Sequence, residues 1–182
     1  RPACMVLVPG GLVFVDGGAI FLPEGGFIST DDGHLDELAL MFPLLVGVDR
    51  MPNACLAGTE WRDIRVQDGA RIASELGAKW LEMRLKKIIV SDAPEPSSDR
   101  HTYHLVTNRG SIIQLGTVQE NPPDGMADLE TKIQYLIKFA EGREDQLDRM
   151  DGQQEIDLRR LDSEGEGAVI RPIDPTPPPT YH

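Results

Sequence analysis

The chain is poor in the residues that most chemistry uses. Of its 182 residues, two are cysteine and four are histidine, and aromatic side chains make up only 5%. Cys4 and Cys55 stand too far apart for a CxxC pair or a metal knuckle. They read as two small core hydrophobes or as one disulfide in an oxidising compartment. Positive charge is also scarce, with 18 Lys and Arg against 30 Asp and Glu and a net charge of -12. That balance excludes nucleic acid, whose phosphates need a basic footprint, and disfavours anionic lipid. No apolar run is long enough to span a bilayer. No leader or initiator Met precedes Arg1-Pro2-Ala3, so a further N-terminal part is expected. No serine sits in a Gly-x-Ser-x-Gly elbow. Gly10-Gly11, Gly17-Gly18 and Gly25-Gly26 do not open a helix after a strand, as a phosphate loop must, and they read as turns.

What remains is an ordinary globular chain. Hydrophobic residues make up 40% of it, enough for one domain with a real core. The first third reads as a β meander: Met5-Val6-Leu7-Val8, then Leu12-Val13-Phe14-Val15-Asp16, then Ala19-Ile20-Phe21-Leu22, with glycine-rich turns between. A loop follows from Pro23 to about Asp36, and residues 42–48 form an extended stretch in which Pro43 marks a start or an edge. Ile72, Leu76, Trp80 and Met83 share one face of a helix over 67–84, with Asp68 as its cap. Residues 85–90 read as a strand and 93–100 as a proline-containing loop. Residues 101–107 alternate with period two, turn at Asn108-Arg109-Gly110 and continue as a second strand through Ile112, Ile113 and Leu115. Met126, Leu129, Ile133, Leu136, Ile137 and Ala140 predict a helix over 126–141, capped by Asp124 and lying on the sheet. Residues 155–159 and 167–171 are the last strands. From Pro172 the sequence is too rich in proline for a sheet and reads as a disordered tail. The fold class is therefore α+β, a mostly antiparallel curved sheet with two helices, with a domain over 1–171 and a tail over 172–182.

Candidates for chemistry are few. Asp31, Asp32, His34 and Asp36 form the most metal-like cluster, but they lack the alternate oxygen ligands and distal Glu of a calcium loop and read as a polar turn. His101 and His104 lie three apart on one strand and point to opposite faces, one exposed and one half-buried, so they do not share a metal. Residues 120–182 hold 15 acidic and 7 basic side chains, read as a solvated acidic face or as a surface for a basic partner. Asp157 and Arg159 flank Leu158 two apart on a strand, on the same face, where they pair with each other or clamp neighbouring elements.

In order, these pieces resemble the extracytoplasmic β domain of the bacterial cell-division family FtsQ/DivIB. The residues that carry the resemblance are Gly110-Ser111-Ile112-Ile113-Gln114-Leu115-Gly116, then the helix with Lys132-Ile133, then Ile156-Asp157-Leu158-Arg159. Arg1-Pro2-Ala3, followed by Leu12-Val13-Phe14-Val15-Asp16, resembles the way such domains open. The resemblance covers about residues 1–171. It implies a non-catalytic scaffold with no cofactor, no metal and no small-molecule substrate, acting in septum formation at the periplasmic face of the inner membrane. The family's membrane helix and POTRA domain would precede Arg1. It also implies FtsB/FtsL-like partners that add a strand to the last β-strand. Here that strand matches Gly167, Ala168, Val169, Ile170 and Arg171, where the two small residues permit close approach. On this reading Val169→Pro removes an edge donor and abolishes binding without unfolding the domain. The rival readings are an α+β metal-dependent enzyme using the acidic residues near Asp31 to Asp36, and a structural assembly module whose 167–171 edge is permanently covered.

Overall fold

A computed structural model describes residues 4–8, 11–16, 19–20, 28–29, 42–50, 58–92, 101–118, 122–141, 147–148 and 152–173. Among the described residues ten strands form one sheet: β1 (Cys4–Val8), β2 (Gly11–Asp16), β3 (Ala19–Ile20), β4 (Ile28–Ser29), β5 (Leu44–Val46), β6 (Leu85–Asp92), β7 (His101–Thr107), β8 (Ile112–Gly116), β9 (Gln154–Asp157) and β10 (Val169–Pro172). Their spatial order is β10-β9-β8-β7-β6-β5-β1-β2-β3, with β4 also pairing β2. Most neighbours are antiparallel, but β1/β5, β5/β6 and β8/β9 are parallel. The α+β class and the mainly antiparallel sheet agree with the sequence reading.

Parallel neighbours need crossovers, and two of the three are supplied by helices. Helix α1 (Ile64–Leu76) and the short α2 (Lys79–Glu82) connect β5 to β6, and α3 (Leu129–Ala140) connects β8 to β9. Both crossovers move in the same direction between strands that all run the same way, so a common hand puts both helices on one face. The main core fills the space between. Val66, Ala73 and Leu76 of α1 and Ile133 and Leu136 of α3 meet Ile88, Tyr103, Leu105, Ile113 and Ile156 of the sheet. A second apolar cluster of Met5, Leu12 and Phe14 lies apart from it, and Phe14 meets Phe42 edge to face with ring centres 5.6 Å apart.

The helix boundaries differ from the sequence reading for identifiable reasons. Asp63, not Asp68, caps α1: its carboxylate accepts from the Arg65 amide at 2.9 Å. Asp68 lies inside the helix and accepts from the Tyr103 hydroxyl at 3.0 Å. Gly69 is helical and buried, and the helix passes tightly over β5 at this point. A Cβ there would come within 2.6 Å of Leu45 Cδ2. Gly77 then ends α1, which divides the expected single helix in two, so three helices rather than two occur among the described residues. For α3 the cap is Asp128 rather than Asp124, with its carboxylate 2.8 Å from the Thr131 amide. Pro43 marks the start of β5, whose strand is central rather than an edge.

A buried polar network fixes β9 in the sheet. Thr107 Oγ1 donates to Asp148 at 2.6 Å and accepts from the Ser111 amide at 3.0 Å. Ser111 Oγ in turn accepts from the Gln154 amide at 3.0 Å, and Gln154 Nε2 donates to the Leu147 carbonyl at 2.6 Å. Each of these buried groups has a partner, which is the condition for burying them at all.

Candidate interaction edge

The last strand, β10, ends the sheet, and the terminal position leaves one side of its backbone without a strand partner among the described residues. Its observed span is Val169–Pro172, so Gly167 and Ala168 precede it and Pro172 belongs to it rather than to a tail. Val169 and Ile170 are 40% and 43% exposed, unusual for such side chains in a strand.

The register decides which backbone groups are open. Val169 pairs with Asp157, Ile170 with Ile156, Arg171 with Glu155 and Pro172 with Gln154. The Ile173 amide donates to the Gln153 carbonyl at 3.0 Å, which makes that pair a hydrogen-bonded one. Antiparallel ladders alternate, so Arg171 and Val169 also turn their amides and carbonyls toward β9. The opposite strand agrees: the Leu158 amide faces β8, donating to the Gln114 carbonyl at 2.9 Å. Ile170 and Pro172 therefore face outward. Proline has no N–H, and the outward side of an edge strand is where that costs no ladder bond. The expected role of Val169 as an edge donor is overturned, because its N–H lies on the β9 side. The outward donor within β10 is the amide of Ile170.

The approach to β10 is built tightly. Gly167 has φ +91, and a Cβ on it would stand 2.5 Å from the Arg160 carbonyl oxygen. Its close approach is thus to the chain's own β9–β10 loop. Ala168 is half-buried against the core. In the same loop Asp162 accepts from the amides of Glu164 and Glu166 at 2.9 and 2.8 Å, and Leu161 is fully buried. The Ala127 amide donates to the Leu161 carbonyl at 2.9 Å, tying the loop to the start of α3. Sequence reasoning did not single out Asp162, and it read Pro172 as the start of a tail rather than as part of a strand. The Asp-x-Glu-x-Glu spacing of an Asx turn, and one proline inside a β-branched run, were the available signals.

The remaining singled-out residues support this edge from behind. Asp157 ends β9 and Arg159 lies just past it in the turn. Arg159 donates from Nε and Nη2 to the two Asp157 oxygens at 2.9 and 2.7 Å, and from its amide at 3.0 Å. They pair with each other, and among the described residues neither side chain hydrogen-bonds to another element. Arg159 beside it holds the Asp157 carboxyl below its ordinary value, against the effect of burial. Leu158 between them is fully buried. Gly116 has φ +76, and the stem of Arg159 passes over it, with Cγ 3.1 Å from where a Cβ would be. Gly110, with φ +92, closes the β7–β8 turn against the side chain of Gln153. Lys132 is buried on α3 and its Nζ donates to the Leu115 carbonyl at 2.8 Å, joining helix to sheet.

Other expected sites are not assembled. His101 and His104 take opposite faces as anticipated, but both are half-buried rather than one exposed. Cys4 is buried on β1, while Cys55 and the Asp31, Asp32, His34 and Asp36 cluster lie outside the described residues. Among the described residues no group of three or more His, Cys, Asp and Glu is placed to hold a metal ion, and no helix is long and apolar enough to cross a membrane. Neither a protein-family model, nor a curated protein, nor a solved structure matches this chain.

Proposed function

We propose that the protein is a non-catalytic interaction module, an FtsQ/DivIB-type β domain that receives an extended segment of an FtsB/FtsL-like division protein on β10. The observation that carries this reading is the outward-facing Ile170 amide and carbonyl on an exposed terminal strand. Main-chain pairing supplies affinity in such strand addition, and side chains alternate to either face to supply specificity. Ile170 lies on the helix side beside Ile156, while Val169 and Arg171 lie on the other face beside Asp157 and Glu155. An incoming strand thus meets an apolar side chain on one face and a mixed apolar and cationic pair on the other. Action at the periplasmic face of the inner membrane, during septum formation, belongs to the same proposal.

The test is calorimetric titration of an FtsB-like peptide into wild type, Ile170→Pro and Val169→Ala. Ile170→Pro removes the outward donor and is expected to abolish binding while leaving the thermal transition close to that of wild type. Val169→Ala, which keeps the backbone, is expected to weaken binding only modestly. Unchanged affinity in Ile170→Pro would sink the assignment.

A further inference from the structure

Lys132 sits where an ammonium is costly. It is 6% exposed, and burial holds its pKa below the ordinary lysine value. Three donors are available on Nζ, yet the one hydrogen bond it makes among the described residues is to the neutral Leu115 carbonyl. Asp128 and Asp157 act on it only through space. The Asp128 carboxylate is engaged at the helix start by Thr131, and both oxygens of Asp157 are taken by Arg159. A buried charge in that position calls for an acceptor.

The same lysine lines a cavity of about 200 Å³ between the end of β8, the start of α3 and the turn after β9. Pro123, Met126 and Leu129 give it apolar walls, and Arg159 stands with Lys132 as a second cation. Asp157 occupies Nε and Nη2 of Arg159, so its Nη1 is left for another acceptor, and the side chain is 53% exposed. Asp128 in the lining and Asp157 on Arg159 balance the two cations, so the site offers N–H donors from two cationic groups rather than a net positive charge. The volume lies below that of a drug-sized site, about 300–1,000 Å³.

We propose that this cavity binds a small carboxylate bearing an apolar substituent, with the carboxylate between Lys132 and Arg159 and the substituent against Pro123, Met126 and Leu129. A free acid and the free C-terminus of a peptide share that chemistry. The assignment does not depend on strand addition at β10, and it extends the protein's repertoire to a small-molecule or chain-end ligand.

The experiment is amide-detected NMR titration of the 182-residue chain with four probes: N-acetylleucine, a tripeptide ending in leucine, and the amides of both. Shifts confined to Gly116, Thr117 and residues 126–132, produced by an acid and not by its amide, are the expected result. A response to both acids identifies a site for any such carboxylate, and a response to the tripeptide alone identifies a peptide end. Lys132→Met is expected to weaken the binding at least about tenfold, equivalent to 1.4 kcal/mol. If that variant does not fold, Arg159→Gln at the cavity rim decides, with several-fold weaker binding expected. No response to either acid, equal response to acid and amide, shifts scattered over surface cations, or unchanged affinity in the decisive variant overturns the proposal.

Discussion

Two short strands of this sheet, β5 and β10, begin alike and end differently. Each is only three or four residues long, each contains two or more adjacent branched apolar residues, and each has a proline at one end. Strand β5 lies between β1 and β6, parallel to both, and its central Leu45 is completely buried under Gly69 of α1. Strand β10 is paired on one side only, and all four of its residues are exposed. Similar composition therefore serves opposite ends. Where both edges and one face are occupied, a short apolar strand is a structural element. Where one edge stays open, a short strand that begins with two β-branched residues leaves backbone groups without a strand partner among the described residues.

Breaking the central strand should have the largest effect. Leu45→Ala leaves a cavity between β5 and α1 and is expected to cost about 2–5 kcal/mol of stability in denaturant unfolding. The second largest effect belongs to the approach to the edge. Gly167→Ala forces φ +91 on a residue with a Cβ and drives it against the Arg160 carbonyl. A loss of more than about 1 kcal/mol is expected, with faster hydrogen exchange at the amides of Val169 and Arg171. Ile170→Pro marks the contrast most sharply, since its expected change in unfolding stability is within about 0.5 kcal/mol while partner binding fails. The equivalent change at the neighbouring position, Val169→Pro, should instead destabilise by about 1–3 kcal/mol, because it removes a ladder bond to β9.

The smallest effects are in pH dependence. Arg159 holds the Asp157 carboxyl below its ordinary value, so the pair's contribution is fully present above the unfolded-state Asp pKa. It is lost as pH falls through the lower folded-state value, and an Arg159→Gln variant should show a shallower acid-side decline. His104 is the second group. Burial pushes its pKa down despite the Gln114 hydrogen bond, so stability falls as pH drops below the ordinary histidine value. His104→Gln should flatten that part of a thermal-melt pH profile. A pH profile unchanged in either variant would show that the group does not contribute.

Much of this architecture was legible in the residues. The period-two alternation of residues 101–107 and the turn at Gly110 locate a hairpin, and the helical spacing of Leu129, Ile133 and Leu136 locates the helix over it. Both readings rest on local periodicity, which burial on a single face enforces. Boundaries were less legible because nearby acidic residues compete as caps. Asp63 and Asp68, or Asp124 and Asp128, are equivalent in isolation, and tertiary contacts decide between them. The need for Gly69 was equally invisible, since the demand for a glycine arises from Leu45, on a strand more than twenty residues earlier. The candidate edge was located to within two residues, but its donor was assigned to the wrong one. Register parity depends on the β9 pairing, which no local pattern of Gly167-Ala168-Val169-Ile170-Arg171 encodes.

Pro172 carries a consequence of its own. An exposed strand of valine and isoleucine is a template for copies of itself, and long runs of paired edges are how chains stack irreversibly. By withholding the donor two residues beyond Ile170, Pro172 stops a second strand from zipping further along β10. Within β10 the outward side thus carries one backbone donor, at Ile170, and an added strand would find no second one at Pro172.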